Sequence, residues 1–213
     1  MGRSGVKIMN ADYKAIVFDL GNVVIDVSIE PACAFWSDKL DLTAEELMLK
    51  FPFDEVYAKF EKGLIDAEAF RDHLREHFEV NFSSKDFDTG WNMILKSLTP
   101  DIEELIIKLK DKYRLAILSN TNEIHIPIFE KRFEEIFDYF EKKFYSNQIH
   151  ARKPEKEAYE KILDYFDYPP KKIVILDDRE DNIQQAKSMG FETILVESTP
   201  QLKCRLKELK ILE

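Results

Sequence analysis

Four short stretches hold the side chains of this chain best suited to chemistry. Asp19 closes the apolar run AIVFD and is followed by Gly21 and Asn22. Ser119-Asn120-Thr121-Asn122 ends the run LAIL, offering a hydroxyl and backbone amides near a helix start, the usual equipment for holding a phosphate or carboxylate. Lys153 precedes Pro154 in HARKPEKEAYEKIL, and Asp177 and Asp178 follow IVIL, with Asp181 and Asn182 close behind. Each stretch has an ordinary reading too. An aspartate at a strand end serves turns, Ser-Asn-Thr-Asn caps helices, lysines cover surfaces, and 18 aspartates in 213 residues give adjacent pairs by chance. Placement raises the acidic pair, because adjacent carboxylates at a sheet edge repel each other unless protonated or bound to a cation. Magnesium, a hard ion that takes oxygen ligands, is the natural partner.

The elements that position these residues follow from the apolar runs. AIVF at 15–18, LAIL at 115–118, IVIL at 173–176 and TILV at 193–196 are short, apolar and separated by helical patterning, which predicts an α/β fold with a parallel sheet and helices on both faces. Ligands of such sheets bind beyond the carboxyl ends of the strands, where these polar stops would converge. Between the first two runs lie almost a hundred residues that read as helices with no comparable strand. Pro31 suits a first helical turn, Thr43 and Glu46 a capping box, and Asp66 and Ser83 or Ser84 start further helices. Thr99 and Pro100 start the helix that returns to the sheet, and Gln201 to Glu213 form a closing helix. The expected division is a core of residues 10–26 and 98–213 interrupted by a helical domain of residues 27–97. Aromatics of that domain, from Phe35 to Trp91, are mostly its core, a few facing a pocket.

Composition narrows the function. The chain is long enough for one large domain or a core with an insert, and 45% hydrophobic residues fill it. A formal charge of -10 repels nucleic acid and anionic membranes, so a small substrate is expected; an anionic one needs a local reversal of charge from a metal ion, a lysine or oriented amides. No run of about 18 uncharged apolar residues occurs, so no membrane-spanning helix is expected. MGRSGVKIMN carries no apolar run and has Val6 where a myristoylation signal needs Ser or Thr. Cys33 and Cys204 read as free thiols of a reducing compartment, and a cytoplasmic location is the default. His73 and His77, four apart, have metal-binding spacing but no third ligand nearby; His150 is undecided.

Taken in order, FDLGNVV, LSNTN, ARKPE and ILDDREDN resemble the four motifs of the haloacid dehalogenase-like hydrolase superfamily, and the helical segment matches the position of the family's cap. FDLGNVVIDV, AFWSD and LSNTNEIH resemble the branch containing bacterial sugar-phosphate phosphatases, alpha-glucose-1-phosphatases among them. The resemblance implies a Rossmann-like core with an inserted all-helical cap and a magnesium-dependent phosphatase acting on a small phosphorylated metabolite, a sugar phosphate in this branch. Asp19 would be the nucleophile, forming an aspartyl-phosphate. Mg2+ would be held by Asp19, the backbone carbonyl of Gly21 and Asp178. Lys153 and Ser119 would hold the transferring oxygens, Asn120 and Asn22 would bind substrate, and Asp177 and Asn182 would orient the metal ligands or Lys153. A monomer or weak homo-oligomer is expected.

The chain departs from the family at Gly21, where most of its phosphatases carry a second aspartate that protonates the leaving group and later deprotonates water. That effect is typically worth about 10² to 10⁴ in rate. A good leaving group, such as an anomeric hydroxyl, would lessen the loss, and Asp26, Asn22 or His125 would be candidates for a relay through water. The other readings are dehalogenase chemistry, which attacks carbon and needs no magnesium, and a non-catalytic binder of phosphorylated ligands or protein partners.

Overall fold

The computed structural model describes residues 12–213; residue 10, the expected start of the core, lies outside them. Seven strands form: β1 Ala15–Phe18, β2 Ile25–Val27, β3 Leu95–Leu98, β4 Arg114–Ser119, β5 Lys142–Tyr145, β6 Ile173–Asp177 and β7 Glu192–Leu195. Five of them make a parallel sheet in the order β5-β4-β1-β6-β7. The chain crosses from β1 to β4 on one side and reaches β6 on the other, so the strand order reverses at β1. A crevice opens at such a reversal beyond the carboxyl ends.

Strand alternation divides the core into two layers. Ile16 and Phe18 of β1 face a cluster with Leu105 and Leu109, Phe129 and Phe137, and Leu202 and Leu206. These come from α6 Ile102–Lys110, α7 Ile126–Arg132, α8 Glu134–Phe137 and α12 Thr199–Glu208. Ala15 and Val17 face the opposite layer, with Tyr159 and Ile162 of α10 Lys156–Phe166 and Ala186 of α11 Glu180–Ser188. Helices therefore cover both faces, as the apolar runs require, since strands buried on both sides lose apolar surface to water on both. A short helix, α9 Ser146–Ile149, follows β5.

Five helices lie between β2 and β3: α1 Glu30–Ser37, α2 Ala44–Lys50, α3 Glu55–Glu61, α4 Ala67–Phe78 and α5 Ser84–Asn92. Four of the five start where the sequence marks them, α3 with its Asp54 cap being the exception. Pro31 is in the first turn of α1, Thr43 and Glu46 form a reciprocal capping box, and Asp54, Asp66 and Ser83 cap α3, α4 and α5. Each such cap is worth about 1 kcal/mol. The helices bury their own cluster, in which the rings of Phe51, Phe87 and Trp91 stack against Trp36 at 5.2 to 6.3 Å. Gly90 permits this packing: a Cβ there would collide with the Trp36 indole.

Several elements differ from expectation. The 27–97 segment is not purely helical at its ends, because β2 and β3 pair antiparallel, Ile25 with Leu98 and Val27 with Leu95. The expected boundaries at 26/27 and 97/98 fall inside this ribbon. Its strands are three and four residues long and expose Lys96 and Ser97, too short a pattern to read. β5 escapes for a similar reason: KKFY is an edge strand whose lysines interrupt the apolar run. Helix α6 starts at Ile102 after a left-handed Asp101, not at Thr99. The last helix ends at Glu208, after which Ile211 folds back into the core. No helix of the described residues is long and apolar enough to cross a membrane. Cys33 is buried and Cys204 exposed, both as free thiols.

Candidate active site

The sheet brings Asp19, Ser119, Lys153, Asp177 and Asp178 to one place. Asp19 follows β1 and its amide donates to the Leu176 carbonyl at 2.8 Å, locking the first and fourth motifs' strands together. Lys153 is the hub. Its ammonium, on a residue 2% exposed, lies 2.7 Å from Asp19 Oδ1 and 2.6 Å from Asp177 Oδ2. A buried lysine is held only by such pairing, and here two carboxylates share one cation. Burial draws the ammonium pKa down, but Asp19 and Asp177 outweigh it and hold Lys153 above its ordinary value.

Asp177 is fully engaged. Its Oδ1 accepts from the Arg179 amide and from Asn182 Nδ2, each at 2.9 Å, while Oδ2 takes Lys153. Asn182 and Asp177 thus fix the lysine. Asp178 is half-buried, and its Oδ2 accepts from Asn22 Nδ2 at 3.2 Å. Oxygens of Asp19, Asp177 and Asp178 approach within 4.8 Å of one another, the one such group of three or more metal-ligating residue types among the described residues. Burial raises the Asp19 carboxyl to about 7 against the pull of Lys153, with Asp177 and Asp178 adding to the rise. Burial likewise raises Asp178. Three carboxylates against one ammonium form an all-oxygen donor set with surplus negative charge, which suits a hard divalent cation. Within that set both Asp177 oxygens are committed to protein donors.

The two asparagines expected to meet substrate also bond within the protein. Asn120 Nδ2 donates to the Lys153 carbonyl at 2.9 Å and its Oδ1 accepts from the Lys153 amide at 2.8 Å. Asn22, in a left-handed turn at φ 54°, donates to Asp178 and accepts from the Val27 amide at 3.1 Å. Each amide thus spends one N–H on the protein, and both residues also line the cleft. Ser119 is buried at the end of β4, its hydroxyl making one long contact of 3.4 Å to the Asn120 carbonyl.

Of the three relay candidates, Asn22 lines the cleft beside Asp178, whereas Asp26 and His125 do not. Asp26 accepts from the Thr99 hydroxyl at 2.8 Å, joining β2 to the segment after β3. His125 is buried and stacks on Trp91; Nε2 lies 3.0 Å from the Trp91 carbonyl and Nδ1 3.3 Å from Asn122 Nδ2. Burial lowers it to about 4, so it is neutral at pH 7 and both nitrogens are committed. Beside Gly21 stands the Val27 side chain, 3.3 Å from where a Cβ would be. The remaining histidines also have protein partners: His73 the Asp54 carboxylate, His77 the Lys50 carbonyl and His150 the Lys62 carbonyl.

A cleft of about 510 Å³ contains Asp19, Ser119, Lys153, Asp178 and Asn182. A second chamber of about 280 Å³, largely apolar, runs from Gly21 and Ser119 toward Trp91 and His125. Phe53, Tyr57 and Glu61 border both. These three carry no motif, and Arg152 in the cleft wall is the residue before Lys153 in ARKPE; α3 reads as an ordinary helix, and only its docking turns that face to the site.

Relatives of known description match most of the chain. A D-ribitol-5-phosphate phosphatase of Bacteroides thetaiotaomicron is 26% identical over 191 residues, covering 87% of this chain and 92% of its relative. A phosphorylated carbohydrates phosphatase of Thermotoga maritima is 24% identical over 190 residues, covering 85% and 83%. The crystal structure of a HAD family enzyme of Bacteroides thetaiotaomicron, in complex with magnesium and inorganic phosphate, matches with a TM-score of 0.78 at 30% identity over 88% of this chain and 96% of that one. A model of the haloacid dehalogenase-like hydrolases spans residues 13–190, and the chain belongs to that family.

Proposed function

We propose that this hydrolase is a magnesium-dependent phosphatase that cleaves a small phosphomonoester through an aspartyl-phosphate on Asp19. The observation that carries the reading is the shared ammonium: Lys153 bridges Asp19 and Asp177 at 2.7 and 2.6 Å beside Asp178. Asp19 is held by Lys153 and by the Leu20 amide, both on Oδ1. Among the described residues no hydrogen bond is made to Oδ2, which is the oxygen for attack on phosphorus. The leaving alcohol departs as the Asp19–phosphorus bond forms, and water then releases phosphate and restores the carboxylate. Lys153 and Ser119 hold the transferring oxygens, supplying charge where it accumulates. Asp19, Asp178 and the Gly21 carbonyl would hold Mg2+, whose chemistry there is to neutralise the phosphate that must approach a carboxylate. The three-carboxylate set favours this reading over dehalogenation, which has no use for a cation.

For the substrate, the polyol and carbohydrate phosphatases among the relatives support a sugar phosphate or a similar phosphorylated metabolite. The helices of residues 27–97, as a cap over the strand ends, would enclose it and exclude water. A cytoplasmic enzyme, monomeric or weakly self-associating, fits the acidic composition and free thiols. The test is hydrolysis of an aryl phosphate with and without magnesium, in the parent and in Asp19→Asn. Activity that needs both the metal and Asp19 is expected; activity indifferent to both sinks the mechanism, and halide release from a haloacid without metal would replace it.

A further inference from the structure

With Gly21 two positions after Asp19, some other group must move the proton that the leaving oxygen needs. The titratable side chains bordering the cleft and its second chamber are few. Asp19, Asp178 and Lys153 are engaged with the phosphoryl group and the metal. Arg152 and Arg179 stay cationic at any working pH. His125 borders only the second chamber and not the cleft that holds Asp19 and Lys153. Tyr57 gives its hydroxyl hydrogen to Glu61. One carboxyl remains.

We propose that Glu61, the last residue of α3, is the general acid and base of this site, standing in from the helical insert for the aspartate that Gly21 replaces. Glu61 is 5% exposed and borders both chambers. Its Oε1 accepts from the Tyr57 hydroxyl and its Oε2 lies 2.9 Å from Arg152 Nη2, in the residue preceding Lys153. Although it belongs to the insert, it is tied to the sheet edge: the Glu61 carbonyl accepts from Ser146 Oγ at 2.5 Å, and that oxygen in turn accepts from the Thr121 amide at 2.9 Å. Its place relative to Asp19 is therefore set by the core and not by the helices alone. The groups facing it are Tyr57 on its own helix and Arg152, with Lys153 and Arg179 beyond. Burial raises its carboxyl, and Arg152, Tyr57, Lys153 and Arg179 lower it by less, so it keeps its proton to a higher pH than an ordinary glutamate.

The step balances. As the Asp19 oxygen bonds to phosphorus and the bond to the leaving oxygen breaks, the Glu61 proton passes to that oxygen. Water then attacks the phosphorus of the aspartyl-phosphate, its proton goes to the Glu61 carboxylate, and the Asp19–phosphorus bond breaks. Ester and water become alcohol and phosphate, with Glu61 and Asp19 returned to their starting forms.

The inference rests on the phosphatase reading, and leaving-group dependence separates the two. kcat/KM is measured with magnesium for p-nitrophenyl phosphate, whose phenolate leaves unaided, and for ethyl phosphate, whose alkoxide needs a proton. Glu61→Gln should lower the ethyl ester rate by about 10² or more and the nitrophenyl rate by only about fivefold. A parent inactive on both esters ends the phosphatase reading and this one with it. A parent active on both, with Glu61→Gln equally impaired or impaired on neither, overturns the acid alone. The parent's pH profile gives a second measurement that needs no variant: the ethyl ester rate, unlike the nitrophenyl rate, should fall as pH rises through the titration of Glu61, and parallel profiles overturn the assignment.

Discussion

Asn120 grips the backbone of Lys153 at both ends, its Nδ2 donating to the carbonyl and its Oδ1 accepting from the amide. The two residues lie 33 apart in sequence, after β4 and before α10, yet this paired contact sets where the ammonium reaches. Asn120→Ala removes both bonds without touching Asp19 or Asp177. A misplacement of about 1 Å near a reacting group can cost on the order of 10²-fold in rate. The variant is expected to lose between about tenfold and 10²-fold in kcat for an aryl phosphate, with KM little changed. A large rise in KM with kcat intact would mean that Asn120 binds substrate directly.

Lys153 keeps two carboxylates together. Lys153→Met leaves Asp19 and Asp177 buried without their shared cation, and removing one partner of a buried pair costs about 3 kcal/mol or more. The uncompensated carboxylates will hold protons more tightly in the folded state, so the folded variant binds more protons than its unfolded chain and its stability falls as pH rises. Urea unfolding of magnesium-free protein should therefore show a deficit relative to the parent that is larger at pH 8 than at pH 5. A deficit that does not change with pH would mean that the carboxylates are not buried together.

What could be read from the chain and what could not have separate physical causes. Asp19, Ser119, Asp177 and Asp178 were legible because each ends a buried apolar run, so local pattern places them at a common sheet edge. Lys153 became legible through its motif. Glu61 gave no signal, and Tyr57 only that of one aromatic among many in the insert, because EVYAKFE is an ordinary amphipathic helix and only its contact with Ser146 and Arg152, about 85 to 90 residues away, turns it to the cleft. Asp26 and His125 were plausible relays in sequence for the same reason: Thr99 and the Trp91 carbonyl, which occupy them, are remote partners. The β2–β3 ribbon and β5 were missed because three or four residues do not carry a period.

Gly63 ends the turn that docks α3 on the core. Its φ is +62°, and an added Cβ would run into the Asn147 backbone carbonyl, which cannot give way as a side chain could. Gly190 also has a positive φ, +89°, but a Cβ there meets only a Pro170 side-chain carbon at 3.5 Å. Backbone conformation alone costs an L-residue roughly 1–2 kcal/mol. Gly190→Ala should lose about that much, whereas Gly63→Ala should lose more and also shift Glu61, reducing turnover of an alkyl phosphate more than its loss of stability explains. Thermal melting of both variants checks the order; equal melting temperatures would mean that the contact with Asn147 imposes no constraint.

His125 gives the fold an acid limit. Burial holds it at about 4, below the ordinary value of about 6.5 that it has when unfolded. Above pH 6.5 it is neutral in both states and contributes nothing to the pH dependence. Between pH 6.5 and 4 the unfolded chain takes up a proton that the folded one refuses, so stability falls as pH falls, by on the order of 3 kcal/mol across that window. His125→Gln cannot titrate, yet its amide can still donate to the Trp91 carbonyl. At pH 7.5 the variant should be the less stable, having lost the ring stacked on Trp91 at 5.1 Å. On acidification to pH 4.5 the parent should lose its advantage, because this part of its acid dependence is absent from the variant. Urea melts at pH 7.5, 6 and 4.5 measure the difference directly. A gap that stays constant across the three would show that His125 accepts its proton as readily folded as unfolded, and would undo its assignment as a neutral, structural ring.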